Sequence, residues 1–153
     1  MGRWMLVALL LIGVAGAPAA SQPVLEEAQA FNPYSETAIA ITGPVILSTK
    51  RMVFETGKLL DLDLVDQAAS GDWGASGNVP VAQVFRVSGS LGPLRQKNTL
   101  CGDQPVTYMA VWDEESSGSK ILGIAMFTGA EIPTGVAQES ICATYFFTTS
   151  AGN

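Results

Sequence analysis

The chain has 153 residues, 48% of them hydrophobic and only 14% charged, with 8 Lys and Arg against 14 Asp and Glu. That composition describes a folded protein, and its acidic balance repels phosphate backbones and anionic lipid headgroups, so no nucleic-acid partner is expected. Histidine is absent and there are only two cysteines, which excludes Ser-His-Asp and Cys-His catalysis and any zinc site of the Cys and His kind.

Residues 1–20 read as a cleaved secretory signal. Arg3 precedes an apolar stretch from Trp4 to Val14, and the small residues Ala17, Ala19 and Ala20 follow it. An apolar run of about 14 residues would extend about 21 Å as a helix, short of the roughly 30 Å hydrocarbon core of a bilayer. Contact with a membrane is therefore expected only through the transient signal, with cleavage after Ala19 or Ala20. Export to a periplasmic or extracellular space follows. The mature chain would carry seven basic and 14 acidic residues, a net charge of −7.

Residues 21–35 form a lead-in. Within it, residues 24–31 read either as two turns of helix or as a flexible approach, ended by Pro33. Residues 36–153 read as a single β domain. Strands are expected at 36–42, 45–48 and 51–55, punctuated by Gly43-Pro44 and Thr56-Gly57. Residues 58–65 show the cleanest alternation, with Leu60, Leu62 and Leu64 on one face and Leu59, Asp61 and Asp63 on the other.

Residues 67–79, rich in Gly, Ala and Ser around Trp73, read as a long loop, and 80–88 restores a strand. Residues 89–104 are irregular and contain Cys101. The nearly continuous apolar runs 106–112 and 120–127 read as central strands covered on both faces, flanking a polar tip at 113–119. A loop at 129–138 leads to a final strand at 140–149, which contains Cys142. The expected fold is all-β, a small antiparallel barrel or two-sheet sandwich of seven or eight strands. With an even cysteine count in an exported domain, Cys101 and Cys142 pair as one disulfide.

Candidate chemistry is sparse. Asp61 and Asp63 would stand about 7 Å apart along one strand face, a spacing near that of an acid–base or calcium-sharing pair, although a solvated strand face produces the same pattern. Ser117 and Lys120 match an S-x-x-K spacing, but in a Gly-Ser turn rather than on the helix that chemistry needs. The acids 113–115 read as a soluble hairpin tip. No phosphate loop or dinucleotide fingerprint is present, and no cofactor is expected. Trp73, alone in its loop, is either a partner-contact residue or a lid folded back on the core.

The function these features favour is an exported, non-catalytic interaction or inhibitor-like module whose acidic surface steers a basic protein toward its loops. The alternatives are a carboxylate-dependent hydrolase built on Asp61 and Asp63, and a barrel that carries a small apolar ligand.

Overall fold

The computed structural model describes residues 16, 24–25 and 27–149, so the signal segment lies almost wholly outside the described residues. The described chain forms a closed antiparallel barrel of eight strands in sequential order. These are β1 Gln29–Pro33, β2 Val45–Leu47, β3 Arg51–Phe54, β4 Leu59–Trp73, β5 Val79–Ser88, β6 Tyr108–Ser116, β7 Ser119–Phe127 and β8 Ile141–Thr149. One helix, α1 Glu36–Ile41, joins β1 to β2. The ring closes where Phe31 and Pro33 of β1 pair with Thr149 and Phe147 of β8. Of the two architectures open to the sequence, the barrel is the one formed.

Closure is driven by alternation. Leu60 and Leu62 of β4, Phe85 of β5, Met109 and Val111 of β6, Leu122, Ile124 and Met126 of β7, and Tyr145 and Phe147 of β8 all turn inward and are buried. An eight-strand barrel has an interior just wide enough for side chains to fill, and this one is filled. Tyr145 donates its hydroxyl to the Leu100 carbonyl (2.8 Å), satisfying a polar group inside an apolar core.

Two N-terminal expectations are corrected. The strand expected at 36–42 is replaced by the helix α1 Glu36–Ile41 with Thr42 as its C-cap, because capping overrides the alternation. The Ser35 side chain accepts from Ala38 N (3.2 Å), Glu36 occupies the first turn, and Gly43 ends the helix at a φ of 62° with Pro44 behind it. The helical or flexible reading of 24–31 is overturned from residue 29 onward, where Gln29–Pro33 is the first barrel strand. The barrel therefore starts inside the expected lead-in, not at residue 36.

Two further corrections concern the hairpins. The stretch expected as a loop at 67–79 is mostly strand, since β4 runs on to Trp73 and pairs with β5 as far as Val79. Three register breaks, between Leu64 and Asp66, Asp66 and Ala69, and Ser70 and Trp73, bend this extension. The polar tip at 113–119 shrinks to a two-residue turn, because β6 and β7 stay paired out to Ser116 and Ser119. Ser117 and Gly118 take φ values of 51° and 79°, the mirror-image turn that matches the twist of a hairpin.

The bent extension supplies a second core. Trp73 is fully buried against the outer face of the barrel, its ring centroid 6.5 Å from those of Trp112 and Phe127. Ala110 and Ala125, paired across β6 and β7, are small enough to leave room for the indole. That explains the unbroken apolar runs of β6 and β7. Their odd and even positions face two different cores, so both faces are covered as expected.

Cys101 and Cys142 form a disulfide with a Cα–Cα distance of 5.3 Å, joining the β5–β6 connection to the start of β8. Such a bond is compatible with an oxidising compartment. Among the described residues no helix is long and apolar enough to cross a membrane.

Candidate functional site

The residues singled out by sequence are not brought together. Asp61 and Asp63 lie exposed on the outer wall of β4, each facing an arginine. Asp61 is 3.8 Å from Arg51, and Asp63 pairs in register with Arg86 on β5. A convex, solvated wall offers no cleft in which a carboxylate could be desolvated toward catalysis. Trp73 takes the second of its two readings: at 0% exposure it folds back on the core and presents no surface to a partner. Ser117 and Lys120 are both exposed, in and beside the hairpin turn.

The best-built surface feature is the β7–β8 connection, residues 128–140, a loop the sequence located without marking any residue in it. Its ends are joined, since Thr128 N donates to Ser140 O (2.8 Å). Such a compact loop with adjacent ends is packed by its own residues and is a common carrier of function. Inside it, Thr134 N donates to Gln138 Oε1 (3.0 Å), and Ile141 N donates to Gln138 O (3.1 Å).

The loop is also fastened to the scaffold on two sides. On one, Val136 N donates to Asp72 O (3.0 Å), and Asp72 and Gly135 form an isolated parallel bridge. Glycine stands at both places where these backbones meet. A side chain at Gly71 would collide with the Thr134 carbonyl, and one at Gly135 would press on the Asp72 backbone. On the other side, the Tyr108 hydroxyl donates to Ala130 O (3.3 Å) and accepts from the Arg86 guanidinium (3.4 Å).

Arg86 also lies 5.7 Å from the centre of the Tyr108 ring. The hydrogen bond to Tyr108, with a smaller contribution from the Asp63 charge, raises the Arg86 pKa. Asp63 therefore has a place near the site after all, behind the arginine that supports the loop anchor.

At the exposed side of this loop stands Ile132, 48% exposed, followed by the buried Pro133. A hollow of about 370 Å³ beside it is lined by Asp72, Glu131, Ile132 and Gln138 among others. A second, of about 540 Å³, lies between Glu131 and Glu139 and reaches Ser140. None of Asp72, Glu131 and Glu139 has a basic side chain within ion-pair distance among the described residues. The result is one apolar side chain on a fastened loop that shares a hollow with Asp72 of β4 and with Glu131, while Glu139 lines the neighbouring hollow. The sequence does carry a signal for it, Ile132 being the single large apolar residue, next to Pro133, between Gly129 and Gly135.

No group of three or more potential metal ligands occurs among the described residues. Comparison of the chain with protein-family models, with curated proteins and with solved structures finds no match.

Proposed function

We propose that this protein is an exported, non-catalytic interaction domain that engages a basic protein through the β7–β8 loop. The observation that carries the reading is Ile132, half-exposed on a loop fastened at both ends and sharing a hollow with Asp72 and Glu131, with Glu139 on the hollow next to it. An apolar anchor with a charged rim is the common anatomy of a recognition surface. A loop already held in one conformation spends less binding energy on being ordered. Unpaired acids around the anchor favour a cationic partner and speed its approach.

The other two readings draw less support. Asp61 and Asp63 face solvent on a convex wall, which is a poor setting for hydrolysis. The barrel interior is occupied by its own side chains, which leaves little room for an apolar ligand.

A panel of cationic secreted proteins, assayed by titration calorimetry at low and at physiological salt, tests the proposal. At least one should bind, with affinity falling as salt rises. Ile132→Ala and Glu131→Lys should each weaken it on the order of tenfold, about 1.4 kcal/mol. Binding that neither variant weakens, or an empty panel at low salt, would sink the idea.

A further inference from the structure

We infer that the outer wall formed by β1 to β4 is a docking face for a second copy of this chain. The strands there are apolar on both sides. Val45 and Leu47 of β2, Met52 and Phe54 of β3 and Leu60 of β4 are buried in the barrel core. The residues that alternate with them turn outward and are apolar too. Ile46 is 50% exposed and Leu59 42%, with Ala30 exposed and Val53 partly so.

The register gathers these four side chains. Ala30 stands opposite Ile46, Ile46 opposite Val53, and Val53 opposite Leu59. They form one apolar row across four neighbouring strands, about 14 Å long at the ordinary strand spacing. Strands apolar on both sides are the pattern of a sheet covered on both faces. β6 and β7 show the covered case, with Trp73 packed over their outer face. β2 and β3 stand opposite them in the ring, and there Ile46 and Leu59 face solvent among the described residues.

The charges bordering the row select the occupant. On β3, Arg51 lies two residues before Val53 and Glu55 two residues after it, so both share its face. On β4 the order is reversed, with Lys58 before Leu59 and Asp61 after it, in register with Arg51. One border of the row therefore carries Arg51 and Asp61, and the other Glu55 and Lys58. A two-fold axis along the row lays the wall on its own copy with the strands antiparallel. Ile46 and Val53 then meet their counterparts, Arg51 faces Glu55 of the second copy, and Asp61 faces its Lys58. A border complementary to itself is what a symmetric dimer requires.

These groups are open to a second partner. Arg51 is 3.8 Å from Asp61 and Glu55 is 3.6 Å from Arg95, and the side chains of Arg51, Asp61 and Glu55 are each more than half exposed. Lys58 donates to Pro93 O and keeps further donors free on an exposed ammonium. An apolar centre with a charged rim has the anatomy of an interface. It is small beside the roughly 800 Å² per partner of a standard one, so the dimer should be weak, with a Kd on the order of 10–100 μM. The face shares no residue with the β7–β8 loop, so the two proposals fail separately.

Sedimentation equilibrium of the purified protein, from well below to well above that range, tests the face. Monomer should give way to dimer as concentration rises. Ile46→Lys should weaken the dimer on the order of tenfold or more with Tm unchanged. Arg51→Glu and Glu55→Arg should each weaken it on the order of fivefold, since symmetry repeats the contact, and the two together in one chain should restore it. Under oxidation, Ile46→Cys should form covalent dimers by itself, whereas Arg51→Cys and Glu55→Cys should cross-link only with each other.

A monomer at every concentration would overturn the inference, whatever else covers the wall. So would dimers that Ile46→Lys leaves intact, or that the combined charge reversal fails to restore. Should Ile46→Lys not fold, the charge and cysteine variants at Arg51 and Glu55, both exposed, decide it. Covalent dimers of Arg51→Cys with itself would refute the antiparallel face.

Discussion

Trp112 lies across Gly123, its partner in the β6–β7 register, with the indole filling the space a side chain on Gly123 would need. The same indole donates from Nε1 to Glu114 Oε2 (2.9 Å), and that oxygen also accepts from Ala75 N (2.9 Å). A glycine in a central strand thus lets one tryptophan cover the sheet and hold the β4–β5 turn through a shared carboxylate.

Gly123→Ala should therefore destabilise the protein. Strand propensity alone favours alanine, by no more than about 1 kcal/mol. The collision with Trp112 outweighs it, with an expected net loss of about 1–3 kcal/mol. Thermal unfolding followed by tryptophan fluorescence would show both a lower Tm and a changed emission maximum.

Trp73 should be shielded from iodide in a variant that retains it as the sole tryptophan, since it is 0% exposed. Trp73→Ala should cost about 3–5 kcal/mol. Because Asp72 next to it holds Gly135 and Val136, the β7–β8 loop should loosen as well. Faster amide exchange at Val136 would register that, and weaker binding to a cationic partner should accompany it.

Reduction of the Cys101–Cys142 bridge, whose cysteines are 41 residues apart, should lower stability by about 4 kcal/mol in the chain-entropy account. The β5–β6 connection and the first residues of β8 should become exchangeable before the rest of the barrel. Calorimetry with and without reductant measures the first effect, and hydrogen exchange the second.

Burial pushes the Tyr145 pKa well above the ordinary phenol range. A folded pKa above the unfolded one means that the neutral phenol is favoured by folding. The associated stability is fully present below about pH 10 and is lost as pH rises from there toward the raised folded value. In an alkaline titration read at 295 nm, ionisation of Tyr145 should coincide with unfolding. Tyr145→Phe should remove that step and cost about 1 kcal/mol, because the Leu100 carbonyl loses its donor.

Asp61→Asn should change stability by less than about 0.5 kcal/mol, since Arg51 and Asp61 form an exposed pair. Melting with and without calcium should be the same in this variant and in the wild type. A calcium-dependent rise in the wild-type Tm that the variant lacks would restore the cation reading of that strand face.

Much of the barrel was legible because its signals are local. The alternation of residues 58–65 and the doubly apolar runs of β6 and β7 depend on period within a few positions. Residues 36–42 misled because apolar and polar residues alternate there. The decisive signals were the flanking caps, Ser35 before the segment and Gly43-Pro44 after it. Residues 67–79 misled in the opposite direction, since small polar residues look like a loop when nothing local reveals that β5 will pair with them.

The candidate site was less legible than the fold. Ile132 could be seen as unusual, but its importance depends on Asp72 from a different hairpin, on Tyr108 beneath the loop and on Arg86 behind Tyr108. None of these is near it in sequence.

By itself, the sequence determined an all-β domain, its disulfide, its acidic character and the absence of histidine chemistry, because composition and short-range periodicity are properties of the chain. Only tertiary structure decided that the sheet closes, that Trp73 is buried and that Leu25 seats on Gln83. It also decided that Asp72, from a different hairpin, lines the same hollow as Ile132. Those outcomes rest on contacts between residues far apart in sequence, made only when the bulges of β4 bend it across the barrel wall and Val24 and Leu25 pack against the barrel core.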